Sequence, residues 1–261
     1  KAVELAHVAA QLQAVIAERE TLAAEAQRLA SIEAVDEQRS ALLRSVSHDL
    51  RTPLSTIRAI ASDLRSGTAY DKETRDELLD IVGDEAERLD RLVANLLSLS
   101  RIEAGALRPD RQAVDLEELV RDRVRRLARL FEQVRVVVDL PADLPLVDGD
   151  YTQLDQVVTN LLENAARHAP PRSTVSVTAT NRGNRAVRLK ITDEGIGIPD
   201  HERVRIFEPF RRGEGSRSSG IGLAICKAVV EAHGGTIGAE RTPGGGATFV
   251  IDLPAREARL G

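Results

Sequence analysis

The sequence holds no methionine, no tryptophan and a single cysteine among its 261 residues. One cysteine excludes a disulfide framework and makes a reducing compartment the default. Aromatic residues are 2% of the chain, too few for platforms on which nucleic-acid bases stack. The net charge is -5, so the basic footprint of a phosphate-backbone binder is missing and no nucleic-acid partner is expected. No apolar run approaches the roughly 20 residues that span a bilayer, and no signal peptide opens the chain. With methionine absent and Lys1 at the start, the chain reads as a fragment of a longer protein, and any membrane portion is expected upstream.

What is present is 42% hydrophobic and 30% charged, a globular composition with many solvated helix faces. The length suits two domains and a sizeable core. Cys226 sits in the apolar run from Gly222 to Val230 and reads as a small buried hydrophobe. Residues 1–40 contain no proline or glycine and are rich in helix formers. Val8, Val15, Leu22 and Leu29 fall seven apart, and Leu5 and Leu12 begin a second row that charged Arg19 interrupts. Heptads of this kind predict a coiled coil between two copies of the chain.

The chain is organised around the stretch from Ser45 to Leu54. Leu43, Val46, Leu50, Leu54 and Ile57 recur at three- and four-residue steps and line one helix face. His48 falls about 200° from Val46 and from Leu50, among Arg44, Arg51, Thr52 and Ser55. A solvated imidazole keeps a free lone pair near neutral pH and is a usable nucleophile. Asp49 can fix its tautomer, and Pro53 is expected to loosen the helix one turn on. The helix is read to about Leu64, with a turn to Tyr70 and Asp71 capping the next helix. That second helix carries Leu78, Leu79, Val82, Ala86, Leu89, Val93, Leu96 and Leu97 and ends near Gly105. One partner helix cannot hide such a stripe, so two hairpins are expected to form a four-helix bundle as a homodimer, with His48 outside it.

Arg108-Pro109 begins a linker. Beyond it are read a helix from Leu116 to Phe131, a strand at Arg135–Leu140 and a helix from Tyr151 to His168. Further strands are read at 174–178, 186–192, 236–239 and 247–251, with Arg182-Gly-Asn184 as a hairpin signal. The pattern predicts an α/β domain, a mixed sheet with helices on one face. Asn160, Glu163, Asn164 and Arg167 share one helix edge at i, i+3, i+4, i+7. Carboxamide oxygens there suit a Mg²⁺ that also binds phosphates; a polar helix face is the plain alternative. Asp193-Glu-Gly-Ile-Gly-Ile-Pro199 follows a strand, where an aspartate can accept a hydrogen bond from an exocyclic amine and glycines allow close backbone approach. Ser218-Ser-Gly-Ile-Gly-Leu223 opens a helix, whose first N–H groups can bind phosphate.

In this order and spacing the stretches resemble the sensor histidine kinases of two-component systems. His48-Asp-Leu-Arg-Thr-Pro53 is similar to their H box, Asn160 to Arg167 to the N box, and Asp193 to Pro199 to the G1 box. Phe207-Glu-Pro-Phe210 is similar to the F box and Gly220-Ile-Gly222 to the G2 box. The resemblance covers about residue 35 to Pro254. The second domain also resembles the ATPase class of gyrase, heat-shock chaperones and mismatch-repair proteins. Ala94-Asn-Leu-Leu-Ser98 and Gly222-Leu-Ala-Ile-Cys-Lys227 look most like the potassium-responsive KdpD-type branch.

The resemblance implies a coiled-coil signalling helix (1–34), a helical-hairpin dimerisation and phosphotransfer domain (35–107), and an α/β sandwich ATP-binding domain (112–256). It implies a protein-histidine kinase that autophosphorylates His48 from MgATP and passes the phosphoryl group to an aspartate on the receiver domain of a response regulator. His48 is then the phosphoacceptor, Asp49 its orienting base, and Thr52 the residue that holds water for dephosphorylating the partner. Asn164, assisted by Asn160, is implied to bind Mg²⁺, with Arg167 on the phosphates. Asp193 is implied to read adenine, with Gly195 and Gly197 shaping its pocket. Phe207 belongs to the same nucleotide-binding set, and Gly220 and Gly222 form the phosphate-side hinge of a lid from about Asp200 to Ser219. The expected location is a cytoplasmic fragment of a membrane-anchored sensor. Two positions depart from the pattern: Ser218 stands where a further glycine is usual, and His168 where tyrosine is common. A non-catalytic nucleotide-binding signalling scaffold is the alternative reading, favoured by Ser218. A chaperone-like ATPase leaves His48 without a role.

Overall fold

Three aspartates set where helices begin. The side chain of Asp71 accepts from Thr74 N at 2.8 Å and starts α2 (Lys72–Glu103). Asp115 accepts from Glu117 N and Glu118 N and starts α3 (Leu116–Arg126), and Asp150 accepts from Gln153 N and starts α4 (Tyr151–His168). Each cap satisfies backbone donors that the helix itself leaves unpaired.

The computed structural model describes residues 49–68, 70–183, 186–209, 211, 220–242 and 244–256, together with Arg19, Glu25, Gln27 and Ser47. The heptads expected in residues 1–34, together with His48, Phe210 and Ser218, lie outside the described residues. The chain divides into two compact units, Lys1–Ser55 and Thr56–Gly261. In the first, every described residue is helical, Pro53 included. In the second, residues 56–65 form α1, and Ser66 to Tyr70 lead into α2.

The remaining elements are β1 (Gln112–Val114), α3, β2 (Arg135–Asp139), β3 (Val147–Gly149), α4, β4 (Thr174–Asn181), β5 (Ala186–Thr192), α5 (Gly222–Ala232), β6 (Thr236–Arg241) and β7 (Ala247–Pro254). Five strands form one sheet in the order β2-β4-β5-β7-β6. β2 runs parallel to β4, and the other pairs are antiparallel. Register aligns the apolar residues across it: Val177 pairs with Ile191, and Leu189 with Ile251. These residues are buried, while Thr178, Arg188 and Lys190 between them are half-buried. This is the alternation of a sheet covered on one face. The cover is α4, through Leu154, Val157, Val158, Leu161 and Leu162, and α5, through Ile225, Val229 and Val230, all buried.

The helix read from Leu116 to Phe131 ends at Arg126, and a 3₁₀ turn from Ala128 to Phe131 replaces its last part. The tighter turn brings Phe131 into the core alongside Leu127. β1 and β3, three residues each, pair antiparallel and are too short to leave a periodic signature.

α2 presents two different faces. Asp80, Asp84, Arg91, Asn95 and Ser98 lie on one side and meet the sheet domain. Arg129 pairs with Asp80 at 2.9 Å and Asp84 at 3.2 Å, and Arg91 with Glu163 at 2.9 Å. Gln156 donates to Asn95 Oδ1 at 2.8 Å and accepts from Ser98 Oγ at 3.0 Å. At 100° per residue, the stripe from Leu78 to Leu97 centres about 180° away. Leu79, Val93 and Leu97 of that stripe are exposed.

Candidate functional site

α4 runs along one edge of the candidate site and touches both of its ends. Near its middle, Asn160 Nδ2 donates to the carbonyl of Gly222 at 3.4 Å, at the start of α5. At its end, the carbonyl of His168 lies so close to Gly195 that a Cβ there would stand 2.5 Å from it. Eight residues separate these points, about 12 Å along the helix. The N-box edge thus joins the G1 and G2 stretches into one region.

Asp193 lies at the end of β5, 1% exposed. Its Oδ1 accepts backbone N–H bonds from Gly195 at 2.9 Å and Ala247 at 3.2 Å. No hydrogen bond to Oδ2 arises among the described residues, although buried polar groups ordinarily find partners. Burial raises the carboxyl pKa, and the two N–H donors oppose that shift. A carboxylate held through Oδ1 by two backbone donors, with Oδ2 taking no hydrogen bond from the other described residues, is suited to accept from a ligand amine.

The glycines around it are steric requirements. Gly197 has φ +75°, and a Cβ there would come within 2.8 Å of the carbonyl of Gly246. Gly246 has φ +91°, and its Cβ would sit 1.9 Å from the carbonyl of Asp193. The turn Gly244-Gly-Gly246 is therefore a wall of the site, and it was missing from the sequence expectations. Three consecutive glycines before a strand were its available signal. Gly222, by contrast, has only ordinary contacts, the nearest being Asn160 Cγ at 3.5 Å.

The start of α5 differs from those of α2, α3 and α4. Its N-cap is Ile221, with no side-chain cap hydrogen bond, and Gly220 before it has φ +69°. Uncapped N–H groups at a helix start, with the positive end of the helix dipole behind them, suit an anion such as phosphate.

Of the other expected residues, Asn164 is half-buried and Arg167 exposed on the same α4 edge. Phe207 is buried, its ring edge-on to Phe249 with centroids 6.3 Å apart, so it anchors its segment in the core. Glu163 is drawn to Arg91 of α2. Asp49 is half-buried and Thr52 exposed. Cys226 is fully buried, its thiol pushed up to about 12 by burial, which leaves it inert at neutral pH. Among the described residues no helix is long and apolar enough to cross a membrane.

Comparison with known proteins finds two families, one after the other along the chain. The His Kinase A (phospho-acceptor) domain family matches residues 38–105, and the histidine kinase-, DNA gyrase B- and HSP90-like ATPase family matches residues 149–257. The chain is 39% identical over 268 residues to sensor protein KdpD of Mycobacterium tuberculosis, covering 98% of this chain and 30% of that one. It spans about 27–30% of the length of the curated KdpD relatives it matches. The solved mycobacterial sensor histidine kinase MprB is 34% identical, with a TM-score of 0.52 over 57% of this chain and 99% of that chain. Full-length ShkA in complex with AMPPNP is 27% identical, with a TM-score of 0.61 over 83% of this chain and 46% of that chain. With both family domains in order on the expected helical and mixed-sheet folds, the chain belongs to the sensor histidine kinases, with KdpD proteins among its relatives.

Proposed function

We propose that this chain is a kinase core that moves the γ-phosphoryl group of ATP to His48 and then to an aspartate on the receiver domain of a response regulator. The observation that carries the reading is the contact of Asn160 with Gly222, which sets the N-box edge beside the uncapped start of α5. A triphosphate between them meets carboxamide oxygens on one side and, on the other, helix-start N–H groups that no side-chain cap satisfies. Asp193 Oδ2 lies at the opposite end for the exocyclic amine of adenine, with Gly195 and Gly197 keeping the wall thin enough for the ring. The AMPPNP complex of ShkA supports an adenine nucleotide as ligand.

The donor set on α4 fits Mg²⁺, a hard cation that keeps most of its shell as phosphate oxygens and water. Asn164 would hold it, with Asn160 alongside, and when bound it neutralises charge that develops on the phosphates. Arg167 pairs with phosphate oxygens from the next turn. Gly220 and Gly222 form the phosphate-side hinge at the start of α5, and Phe207 is anchored in the core.

His48 attacks as neutral imidazole, in line with the bond to the leaving oxygen. Asp49 accepts a hydrogen bond from the N–H of the other ring nitrogen and so keeps the attacking lone pair free. The hydroxyl of Thr52 positions water for the reverse task, hydrolysis of the phosphorylated receiver. The working unit is a homodimer built on the α1–α2 hairpin, with domains at 1–34, 35–107 and 112–256. The fragment works on the cytoplasmic side of a membrane-anchored sensor. Labelling with γ-³²P-ATP tests the reading: wild type is expected to gain an acid-labile, base-stable label, and His48→Gln none while still binding nucleotide. Equal labelling of the two proteins sinks it.

A further inference from the structure

His233 closes α5 and is fully buried, yet phosphoryl transfer to His48 does not use it. Its Nδ1 lies 2.8 Å from the carbonyl of Val229, four residues back in the same helix. Its Nε2 lies 2.9 Å from the backbone nitrogen of Asp150. A carbonyl only accepts and a backbone N–H only donates, so both ring roles are fixed. Nδ1 carries the proton, and Nε2 is a lone-pair acceptor.

The partner of Nε2 matters because Asp150 is the N-cap of α4. Its side chain holds Gln153 N at 3.1 Å and also accepts from Asp110 N at 3.1 Å. Arg111 beside it reaches Asp148 at 3.3 Å and the carbonyl of Ala232 at 3.3 Å. Gly149 makes room for the ring: a Cβ there would stand 3.0 Å from His233 Cδ2 and 2.6 Å from Leu154 Cδ1. The linker, the start of α4 and the end of α5 therefore meet at one imidazole.

We propose that neutral His233 is a positioning residue that locks the start of α4 to the end of α5, keeping the Asn160 edge against the α5 start, and that acid opens this lock and weakens nucleotide binding. The proposal rests on the reading of the Asn160–Asp193 region as a nucleotide site. Protonation turns Nε2 from an acceptor into a donor aimed at the Asp150 N–H, so the hydrogen bond is lost and two donors face each other. The charged groups facing the ring are Arg111 from the linker, Asp148 from β3 and Asp150 from the α4 cap. Burial holds the imidazole below the ordinary histidine range; Arg111 adds to this, while the Val229 carbonyl and the two aspartates oppose it. A depressed folded pKa means that the lock is complete above the unfolded value, about 6.5. It is lost as the pH falls below that through the folded value.

The test uses the full chain and a fluorescent non-hydrolysable ATP analogue, with the folded fraction followed by circular dichroism. As the pH falls from about 7.5 to the lowest value at which circular dichroism still shows the protein folded, wild-type affinity is expected to fall about tenfold. His233→Leu removes the acceptor and is expected to bind about tenfold more weakly already at about pH 7.5. His233→Gln offers a non-titrating amide oxygen to the Asp150 N–H; it is expected to restore most of that loss and to change less than about threefold over the range. A wild-type profile no steeper than that of His233→Gln overturns the proposal, as does wild-type affinity in His233→Leu. Failure of wild type to bind at about pH 7.5 removes the nucleotide reading instead. The lock is then judged without nucleotide, from the ring tautomer by NMR and from exchange of the Asp150 and Gln153 amides. Loss of protection on acidification, taken relative to the intrinsic exchange rate at each pH, in wild type but not in His233→Gln supports it, and equal protection in the two overturns it.

Discussion

Leu79, Val93 and Leu97 of α2 stand 49%, 47% and 57% exposed, whereas Leu154, Leu161 and Leu162 of α4 are at most 1% exposed. Both helices carry their apolar residues at helical spacing, so periodicity alone does not account for the contrast. α4 lies on a five-stranded sheet that closes over its stripe. α2 turns its polar side to the sheet domain, through Asp80, Asp84, Arg91, Asn95 and Ser98, and among the described residues Leu79, Val93 and Leu97 on its apolar side stay exposed. The sheet domain holds a finished core; the hairpin holds part of one. An apolar stripe with Leu79, Val93 and Leu97 exposed is the kind of surface that another chain covers, and in the proposed homodimer a second hairpin, offering the same stripe, would cover it by two-fold symmetry.

The largest effect comes from attacking the unfinished core. Leu89 and Leu96 are half-buried within the stripe, and each fully buried large side chain contributes roughly 1.5–3 kcal/mol. Two carboxylates at these positions replace that gain with a desolvation cost on both protomers. The Leu89→Asp, Leu96→Asp variant is expected to be monomeric or to unfold by light scattering. Isolated residues 110–256 are expected to stay folded and monomeric and to bind ATP. An intact chain that is monomeric and still labels His48 breaks the comparison, because the open stripe then needs no partner.

The converse experiment spares the hairpin. Asn164→Ala removes one carboxamide from the α4 edge, outside the buried set of Leu161, Leu162 and Ala165. Folding and dimerisation are expected to be unchanged. Autophosphorylation is expected to fall on the order of a hundredfold, the usual scale when one group that stabilises transferring charge is lost. Full activity with Mg²⁺ would mean that the N-box edge does not hold the metal.

How much of this was legible in the sequence depends on the kind of signal each feature leaves. The bounds of α4 were readable because Asp150 caps it, apolar residues repeat through Ala165, and Pro170 comes just after its end. The hairpin between β4 and β5 was readable from Gly183, which takes φ +81°. The ends of β4, β6 and β7 were read short, since Asn181, Arg241 and Pro254 look like turn residues and are held in strand by cross-strand register. The α3 break at Leu127 has no local marker, because the core that captures Phe131 is assembled from distant segments. Within the site, Asp193 and the glycines beside it stood out by composition. Gly246 and His233 did not, since their roles depend on what folding brings against them: a carbonyl of Asp193 and an N–H of Asp150.

The smallest expected effect lies at the seam between the two regions. Arg91 pairs with Glu163 at 2.9 Å, and both side chains are partly solvated, so the pair adds no more than about 1 kcal/mol to docking α2 on α4. Its greater consequence is electrostatic. Glu163 precedes Asn164 on the edge proposed to face triphosphate, where an uncompensated carboxylate repels the ligand. Arg91→Met leaves that charge exposed and is expected to weaken ATP binding only about two- to threefold, because water separates the charges. Adding salt should shrink the difference, since the Debye length falls to about 8 Å at physiological ionic strength. The double variant Arg91→Met, Glu163→Gln removes both charges and is expected to regain wild-type affinity, with the same dimer by light scattering. An equal loss in the single and double variants would show instead that Arg91 acts through its packing on α4, and that the hairpin reaches the nucleotide edge by shape rather than by charge.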